Sequence, residues 1–212
     1  MFVITIGRTF GSGGRELGQL LAEKLNVPFY DKRLLQEAAR KAGLKQEFMI
    51  HNDEKPPRFF GGSSPFGLGF STGGGISPWF NETASESDTI HKAQSDFIHE
   101  IAAQGSCVIV GRTADYILRD IPNVINIFVH APEEDCVKRI QRRSPELSES
   151  QAKNIAHRTN RLRSAFYEFY TDKKWGHPSS YDLCLNSSKL PMDLLADIVI
   201  NYIKARVPEE NL

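Results

Sequence analysis

The chain has 212 residues, 40% of them hydrophobic and 25% charged, so it is long enough and apolar enough to bury a core. Lysine plus arginine and aspartate plus glutamate each number 26, and the resulting net charge of zero argues against a duplex nucleic-acid binder that relies on overall charge. Three widely spaced cysteines form no disulfide framework or CxxC metal site, and no apolar run approaches the roughly 18 residues of a membrane span. We therefore expect one cytoplasmic domain over residues 1–212.

Short apolar segments alternate with helical segments along the chain. Strands are predicted at Phe2–Ile6, Val27–Asp31, Cys107–Val110, Val124–Val129 and Tyr181–Leu185. Helices are predicted at Gly14–Leu25 and Leu34–Ala42, then over residues 90–101, 132–143, 148–170 and 194–203. Ser148 and Gln151 have the spacing of a capping box. This order predicts an α/β fold with a mostly parallel sheet, helices on both faces, and ligands at the C-terminal strand ends.

Residues 52–80 differ from the rest of the chain because they are rich in glycine, proline and aromatic residues. A structureless segment of this length inside a compact domain is usually functional, and its aromatic residues distinguish it from a polar linker. We interpret it as a flap that packs on the domain part of the time. A disordered insertion with incidental aromatic residues is the alternative.

A glycine cluster follows the first strand, in the stretch Gly7-Arg-Thr-Phe-Gly-Ser-Gly-Gly-Arg-Glu16. Glycines between a strand and a helix let backbone amides approach an anion, and the helix N-terminus adds partial positive charge. A Rossmann fingerprint needs a third glycine at Glu16, although Asp31 stands where a ribose-binding acid would. The strict phosphate-binding P-loop needs lysine at Gly14. Anion binding, dinucleotide binding and a plain turn all remain open.

Arginines supply the positive charge that this loop lacks. Arg8 and Arg15 flank the glycines, and either one fits the cationic role of the missing lysine. Residues 138–163 hold eight basic and two acidic side chains across two helices joined at Ser144-Pro145. Such a helical hairpin brings cations over a bound polyphosphate, as phosphoryl transfer requires, or forms a solvated face or a single-strand nucleic-acid site. Arg112 ends the third strand and is a candidate for binding a second substrate.

Several segments together resemble the cytidylate kinase-like family of P-loop phosphotransferases. They are ITIGRTFGSGGRELG at Ile4–Gly18, PFYDKRLL at Pro28–Leu35, GSCVIVGRTADYIL at Gly105–Leu118, RSAFYEFYTDKKWG at Arg163–Gly176 and YDLCLNSS at Tyr181–Ser188. The resemblance implies a nucleoside-monophosphate-kinase fold with a five-stranded parallel sheet and a helical lid at about 138–163. The chain departs from the family's pattern at Gly14 and Glu16, where relatives carry lysine and threonine, and at Thr113, which replaces the acid of a GRD stretch.

The resemblance also implies ATP and Mg²⁺ as cofactors and a nucleotide or similar small molecule as acceptor. The ATP-binding residues are expected to be Gly7, Arg8, Gly11, Ser12, Gly13, Gly14 and Arg15. Ser12 is the candidate metal ligand, and Asp31 and Arg112 are the candidate acceptor-binding residues. Among the candidate catalytic residues, Arg15 is expected to hold the β- and γ-phosphates together with Arg8, and Arg158 and Arg163 are expected to neutralise transferred charge.

The sequence therefore predicts an ATP-dependent phosphotransferase that acts on a small acceptor such as the nucleoside monophosphate CMP. Two alternatives stay open: a nucleotide-binding regulatory module that has lost turnover together with the lysine, and a dinucleotide-binding enzyme.

Overall fold

The computed structural model describes residues 1–31 and 79–211. The predicted helix over Leu34–Ala42 lies outside the described residues. The predicted flap over residues 52–80 also lies outside them, except for its last two residues, which begin a helix.

Five strands and six α-helices form the described part of the chain. The strands are β1 (Val3–Arg8), β2 (Phe29–Tyr30), β3 (Cys107–Val110), β4 (Val124–His130) and β5 (Leu183–Asn186). The helices are α1 (Gly14–Leu25), α2 (Trp79–Gln104), α3 (Ala114–Ile117), α4 (Glu133–Arg143), α5 (Glu149–Thr171) and α6 (Met192–Arg206). Two 3₁₀ turns, Pro178–Ser180 and Glu209–Asn211, complete the order.

All five strands are parallel and lie in the order β2-β3-β1-β4-β5. The chain leaves β1 toward β2 on one side and leaves β4 toward β5 on the other. Strands β1 and β4 are neighbours, and the connections that follow them run in opposite directions. A crevice therefore opens beyond the carboxyl ends of β1 and β4, and α/β sheets bind ligands in such a crevice. The expected fold, with five parallel strands and helices on both faces, is confirmed.

Two apolar layers cover the sheet, because successive strand residues point to opposite faces. Ile4 and Ile6 of β1 pack with α1 and α6, and both side chains are almost completely buried. On the other face, Val3 and Ile109 pack with Ile98 of α2 and with α3. Burial on both faces explains why the strands read as continuous apolar runs.

Helices α4 and α5 form a hairpin that packs against the loop between β1 and α1. Val137, Ile140, Ala152 and Ala156 make its buried contact, and Phe10 from the loop packs against them. The Phe10 amide also donates a hydrogen bond to the Asn160 side chain at 2.7 Å. The hairpin therefore lies over the loop as the expected helical lid does.

The predicted capping box starts α5. The Gln151 amide donates to Ser148 Oγ at 3.2 Å, and the Ser148 amide donates to Gln151 Oε1 at 2.9 Å. Each bond satisfies an amide that the first turn of the helix leaves without a partner. Within residues 1–31 and 79–211, no helix combines the length and the apolar character needed to cross a membrane.

Candidate functional site

The loop between β1 and α1, here called the glycine loop (residues 9–14), is lined by backbone. Gly11 and Gly13 have left-handed φ angles of 84° and 83°, which other residues rarely adopt. A Cβ atom on Gly11 would lie 2.7 Å from the Cys136 carbonyl oxygen, and one on Gly14 would lie 2.6 Å from the Cβ of Arg8. The loop keeps this close-packed shape only with glycine at these positions.

The N-terminus of α1 opens onto the glycine loop. Its N-cap is Gly13, so no side chain caps the helix at this end. Amides of the first turn have no acceptor within the helix, and the helix dipole adds partial positive charge there. A backbone cradle of this kind fits the phosphate groups of a nucleotide.

Ser12, the candidate metal ligand, faces into the protein. Its side chain is buried, and its hydroxyl oxygen lies 2.9 Å from the Thr9 carbonyl oxygen and 3.0 Å from that of Val129. Direct binding of a metal would require the hydroxyl to leave both carbonyls, so its role as a ligand stays a prediction. Among the residues that the structure describes, no group of three or more His, Cys, Asp or Glu side chains is placed to hold a metal.

Arg15 and Asp31, predicted to bind ATP and the acceptor respectively, contact each other. Arg15 Nε donates to Asp31 Oδ2 at 2.6 Å, and the guanidinium carbon lies 5.9 Å from the centre of the Phe29 ring. The Arg15 side chain is 56% exposed, whereas Asp31 is almost buried at the end of β2. The arginine is thus directed along the sheet edge toward β2. Its roles as an ATP-binding and catalytic residue stay predictions.

Three other arginines line one cavity at the ends of β1 and β3, here called the arginine cavity. They are Arg8, Arg112 and Arg163. Arg163, on α5, donates from Nη1 to the Arg8 carbonyl oxygen at 3.2 Å, and the Arg8 guanidinium lies against Gly111. Three guanidinium groups around one cavity favour an anionic ligand, since each binds carboxylate or phosphate oxygens in pairs.

An unusual turn carries Arg112 to this cavity. Gly111, Arg112 and Thr113 have φ angles of 82°, 64° and 53°, so three consecutive residues are left-handed. Each such non-glycine residue costs on the order of 1–3 kcal/mol. Thr113 Oγ1 donates to the Arg112 carbonyl oxygen at 2.6 Å, and Arg112 is only 5% exposed. The strained turn holds a buried cation at a strand end, which is typical of a binding site.

Arg158 does not join this group. It is exposed on α5, five residues before Arg163, and therefore points about 140° away around the helix axis. Its predicted part in neutralising transferred charge stays a prediction.

Sequence reasoning missed a clamp between the glycine loop and the end of β5. Arg139 donates to the Ser12 carbonyl oxygen at 3.3 Å, to Ser187 Oγ at 3.0 Å and to the Ser187 carbonyl oxygen at 2.8 Å. Ser187 Oγ donates in turn to the Ser12 carbonyl oxygen. Both partners lay inside segments singled out from the sequence, but nothing in their spacing indicated that they meet.

A second missed feature is a buried pair beside the arginine cavity. The Tyr167 hydroxyl donates to Asp115 Oδ2 at 2.7 Å, and both side chains line the cavity. Burial raises the pKa of the Asp115 carboxyl, and the hydrogen bond from Tyr167 opposes that rise. Burial and the neighbouring Asp115 carboxylate raise the pKa of Tyr167, so the phenol keeps its proton as a donor.

The parallel sheet, the glycine loop and the helical hairpin define a P-loop kinase fold. The chain belongs to the cytidylate kinase-like family, which it matches over residues 3–189. It is therefore placed among kinase-like phosphotransferases. The chain is 33% identical over 124 residues to the cytidylate kinase of Methanosarcina acetivorans, in a match that covers 57% of this chain and 66% of that enzyme.

Two solved structures share the fold. A protein of uncharacterized function from Eubacterium ventriosum is 29% identical, with a TM-score of 0.72 over 97% of this chain and 100% of that one. The shikimate kinase of Bacteroides thetaiotaomicron shares the fold at 12% identity, with a TM-score of 0.54 over 96% of this chain and 98% of that enzyme.

The bare glycine loop leads to a testable expectation for Gly11→Ala. The new Cβ meets the Cys136 carbonyl oxygen at a left-handed backbone position, so the loop must shift. We expect ATP affinity, measured by calorimetric titration, to fall at least about tenfold, which corresponds to 1.4 kcal/mol.

Gly105→Ala is the matched control. Gly105 also has a positive φ, of 152°, but a Cβ there meets nothing within 4 Å in the described structure. It should reduce stability while leaving ATP affinity unchanged. Equal ATP affinities in the two variants would contradict the assignment of the loop.

Proposed function

We propose that the protein is an ATP-dependent kinase that phosphorylates a nucleoside monophosphate, with CMP as the first candidate. The observation that carries this proposal is the juxtaposition of two anion sites: the backbone cradle of the glycine loop and the arginine cavity. Arg8 lines the cavity while its Cβ packs under Gly14 of the loop. Two phosphorylated substrates bound at these sites would meet near Arg8. Membership of the cytidylate kinase-like family supports the same reaction class.

ATP would bind with its phosphates on the glycine loop and its base beside α4. A cavity of about 280 Å³ lies next to the Arg139–Ser187 clamp and is lined in part by Lys138, Arg142 and Ser188. This volume accommodates an aromatic base, and its polar lining offers hydrogen-bond partners. The clamp keeps the loop at the end of β5 against Ser12, so the base and phosphate positions are held together.

Mg²⁺ would accompany the triphosphate. This ion prefers octahedral oxygen ligands and is usually bound through substrate phosphates and waters with one or two protein groups. Since the Ser12 hydroxyl faces the interior, it does not fit as a direct ligand in this conformation, and a role for Ser12 or Asp31 through water stays a proposal.

The acceptor would bind in the arginine cavity. Arg112, buried at its strained turn, would hold the acceptor phosphate, and Asp31 at the neighbouring strand end would face its polar groups. Trp175 and Phe166 supply apolar surface in the same cavity. The cavity measures only about 30 Å³ in this structure, so α5 would have to move away from the strand ends to admit a nucleoside monophosphate. The opened cavity would then offer both charge and aromatic contact to that acceptor.

The chemistry requires positioning and positive charge. An oxygen of the acceptor phosphate forms a bond to the γ-phosphorus, the bond from that phosphorus to the β–γ bridging oxygen breaks, and ADP leaves with the electron pair. Because the acceptor oxygen is already anionic, no residue has to remove a proton. Arg163, which reaches across from α5 to the end of β1, would neutralise charge on the transferred group.

A coupled ADP-release assay with ATP and Mg²⁺ across CMP, UMP, AMP and GMP tests the proposal. We expect turnover with at least one monophosphate, with CMP preferred. ATP binding without turnover on any acceptor would instead favour a regulatory nucleotide-binding module, an alternative supported by the absence of lysine at Gly14. Tighter binding of NAD than of ATP would favour a dinucleotide-binding enzyme.

Arg15 and Asp31 give a further prediction about the ATP site. If Arg15 replaces the missing lysine, its guanidinium must leave Asp31 to reach phosphate. Arg15→Ala should then weaken ATP binding about tenfold, whereas Asp31→Asn should not weaken it and should raise the acceptor KM. Unchanged ATP affinity in Arg15→Ala would transfer the cationic role to Arg8.

Arg163→Ala tests charge neutralisation. We expect kcat to fall by about 10³-fold, since a positioned arginine contributes mainly to the transition state of phosphoryl transfer. Arg161→Ala is the matched control, because Arg161 is exposed on the same helix and points about 200° away. Similar kcat values for the two variants would remove Arg163 from the proposed mechanism.

A further inference from the structure

The hydrogen bond between Asp115 and Tyr167 connects the two elements that supply arginines to the arginine cavity. Asp115 lies three residues after Arg112, in the first turn of α3. Tyr167 lies four residues after Arg163, and therefore one helical turn further along the same face of α5. This hydrogen bond of 2.7 Å joins the strained turn to the arginine-bearing face of the helix.

Burying Asp115 and Tyr167 costs more free energy than burying two apolar side chains. Asp115 and Tyr167 are 9% and 4% exposed, and burial raises the pKa of both groups. Apolar side chains of similar size would fill the same space without desolvating a carboxylate. What the polar pair supplies is a bond of defined length and direction between α3 and α5.

The position of the pair shows what that bond would control. Both side chains line the arginine cavity, yet neither is a cation that would bind an anionic acceptor. The left-handed residues Arg112 and Thr113 lie three and two residues before Asp115, so a shift of α3 changes where the Arg112 guanidinium lies. A shift of α5 does the same for Arg163, whose guanidinium donates a hydrogen bond to the Arg8 carbonyl oxygen.

We propose that Asp115 and Tyr167 are positioning residues that fix the separation of Arg112 and Arg163, and so set both the affinity for the acceptor through Arg112 and the neutralisation of transferred charge through Arg163. The inference rests on the proposed function, because it assigns the arginine cavity to the acceptor. It adds two residues that touch neither ATP nor the transferred phosphoryl group. Thr113 stands where the acid of a GRD stretch is expected. Two residues later, Asp115 supplies an acid that positions the site.

Tyr167→Phe tests this role, since it removes the hydroxyl and keeps the ring. We expect the acceptor KM to rise about tenfold, kcat to fall, and the ATP KM to stay within about twofold, while the Tm falls by a few degrees because Asp115 loses its hydrogen-bond donor. Asp115→Asn keeps an acceptor for Tyr167 and removes the buried charge, so it should retain most of the acceptor affinity that Asp115→Ala loses. Tyr202→Phe on α6 is the matched control and should behave as the unchanged protein.

Fluorescence of Trp175 gives a second readout that does not require turnover. The chain has two tryptophans, so a Trp79→Phe background leaves Trp175, which lines the arginine cavity, as the reporter. Titration with the best acceptor, or with CMP where none is turned over, should show the same tenfold loss for Tyr167→Phe.

The outcomes separate the two claims. An unchanged protein that neither binds nor phosphorylates any monophosphate refutes the proposed function. An active unchanged protein whose Tyr167→Phe variant keeps its acceptor KM, or loses ATP and acceptor affinity equally along with Tm, refutes only the positioning role.

Discussion

The absence of side chains in the glycine loop is the constraint on which the rest of the site depends. The loop passes so close to α4 and β1 that a Cβ at Gly11 or Gly14 would collide with backbone or with the stem of Arg8. This closeness lets the α4–α5 hairpin pack directly on the loop through Phe10. It also brings the Ser12 carbonyl within reach of Arg139 and Ser187. The anion cradle, the hairpin and the end of β5 are therefore held by one packing arrangement.

Positive charge around the glycine loop and the arginine cavity comes from other elements. A P-loop lysine would extend from the loop itself, but here the position is Gly14 and the surrounding guanidinium groups come from β1, β3, α4 and α5. Arginine suits such long-range placement because its planar group donates several hydrogen bonds in fixed directions. Arg163 and Arg139 use one or more of these donors to bind backbone carbonyls. These backbone contacts fix the positions of the two guanidinium groups.

The sequence predicted the fold well because its signals are local. Apolar runs marked each strand to within about two residues, and the capping box at Ser148 and Gln151 has the predicted hydrogen bonds. It also placed Arg112 correctly at a strand end. The sequence did not predict which side chains pair. Arg139 and Ser187 are 48 residues apart, and Asp115 and Tyr167 are 52 residues apart. Neither pair follows a helical or strand period, so only the tertiary fold brings them together.

The inward direction of Ser12 and the pairing of Arg15 with Asp31 have a common physical origin. Residue type indicates what a side chain can bind, whereas its direction depends on the backbone at that position and on the nearest partner. Ser12 lies between two left-handed glycines, which turn its hydroxyl toward the carbonyls of Thr9 and Val129. Arg15 begins α1 beside the end of β2, where the nearest anion is a nearly buried carboxylate. Because the Arg15 guanidinium already pairs with Asp31, an incoming phosphate would compete with Asp31 for it, and the two proposed substrate sites would be coupled through one side chain.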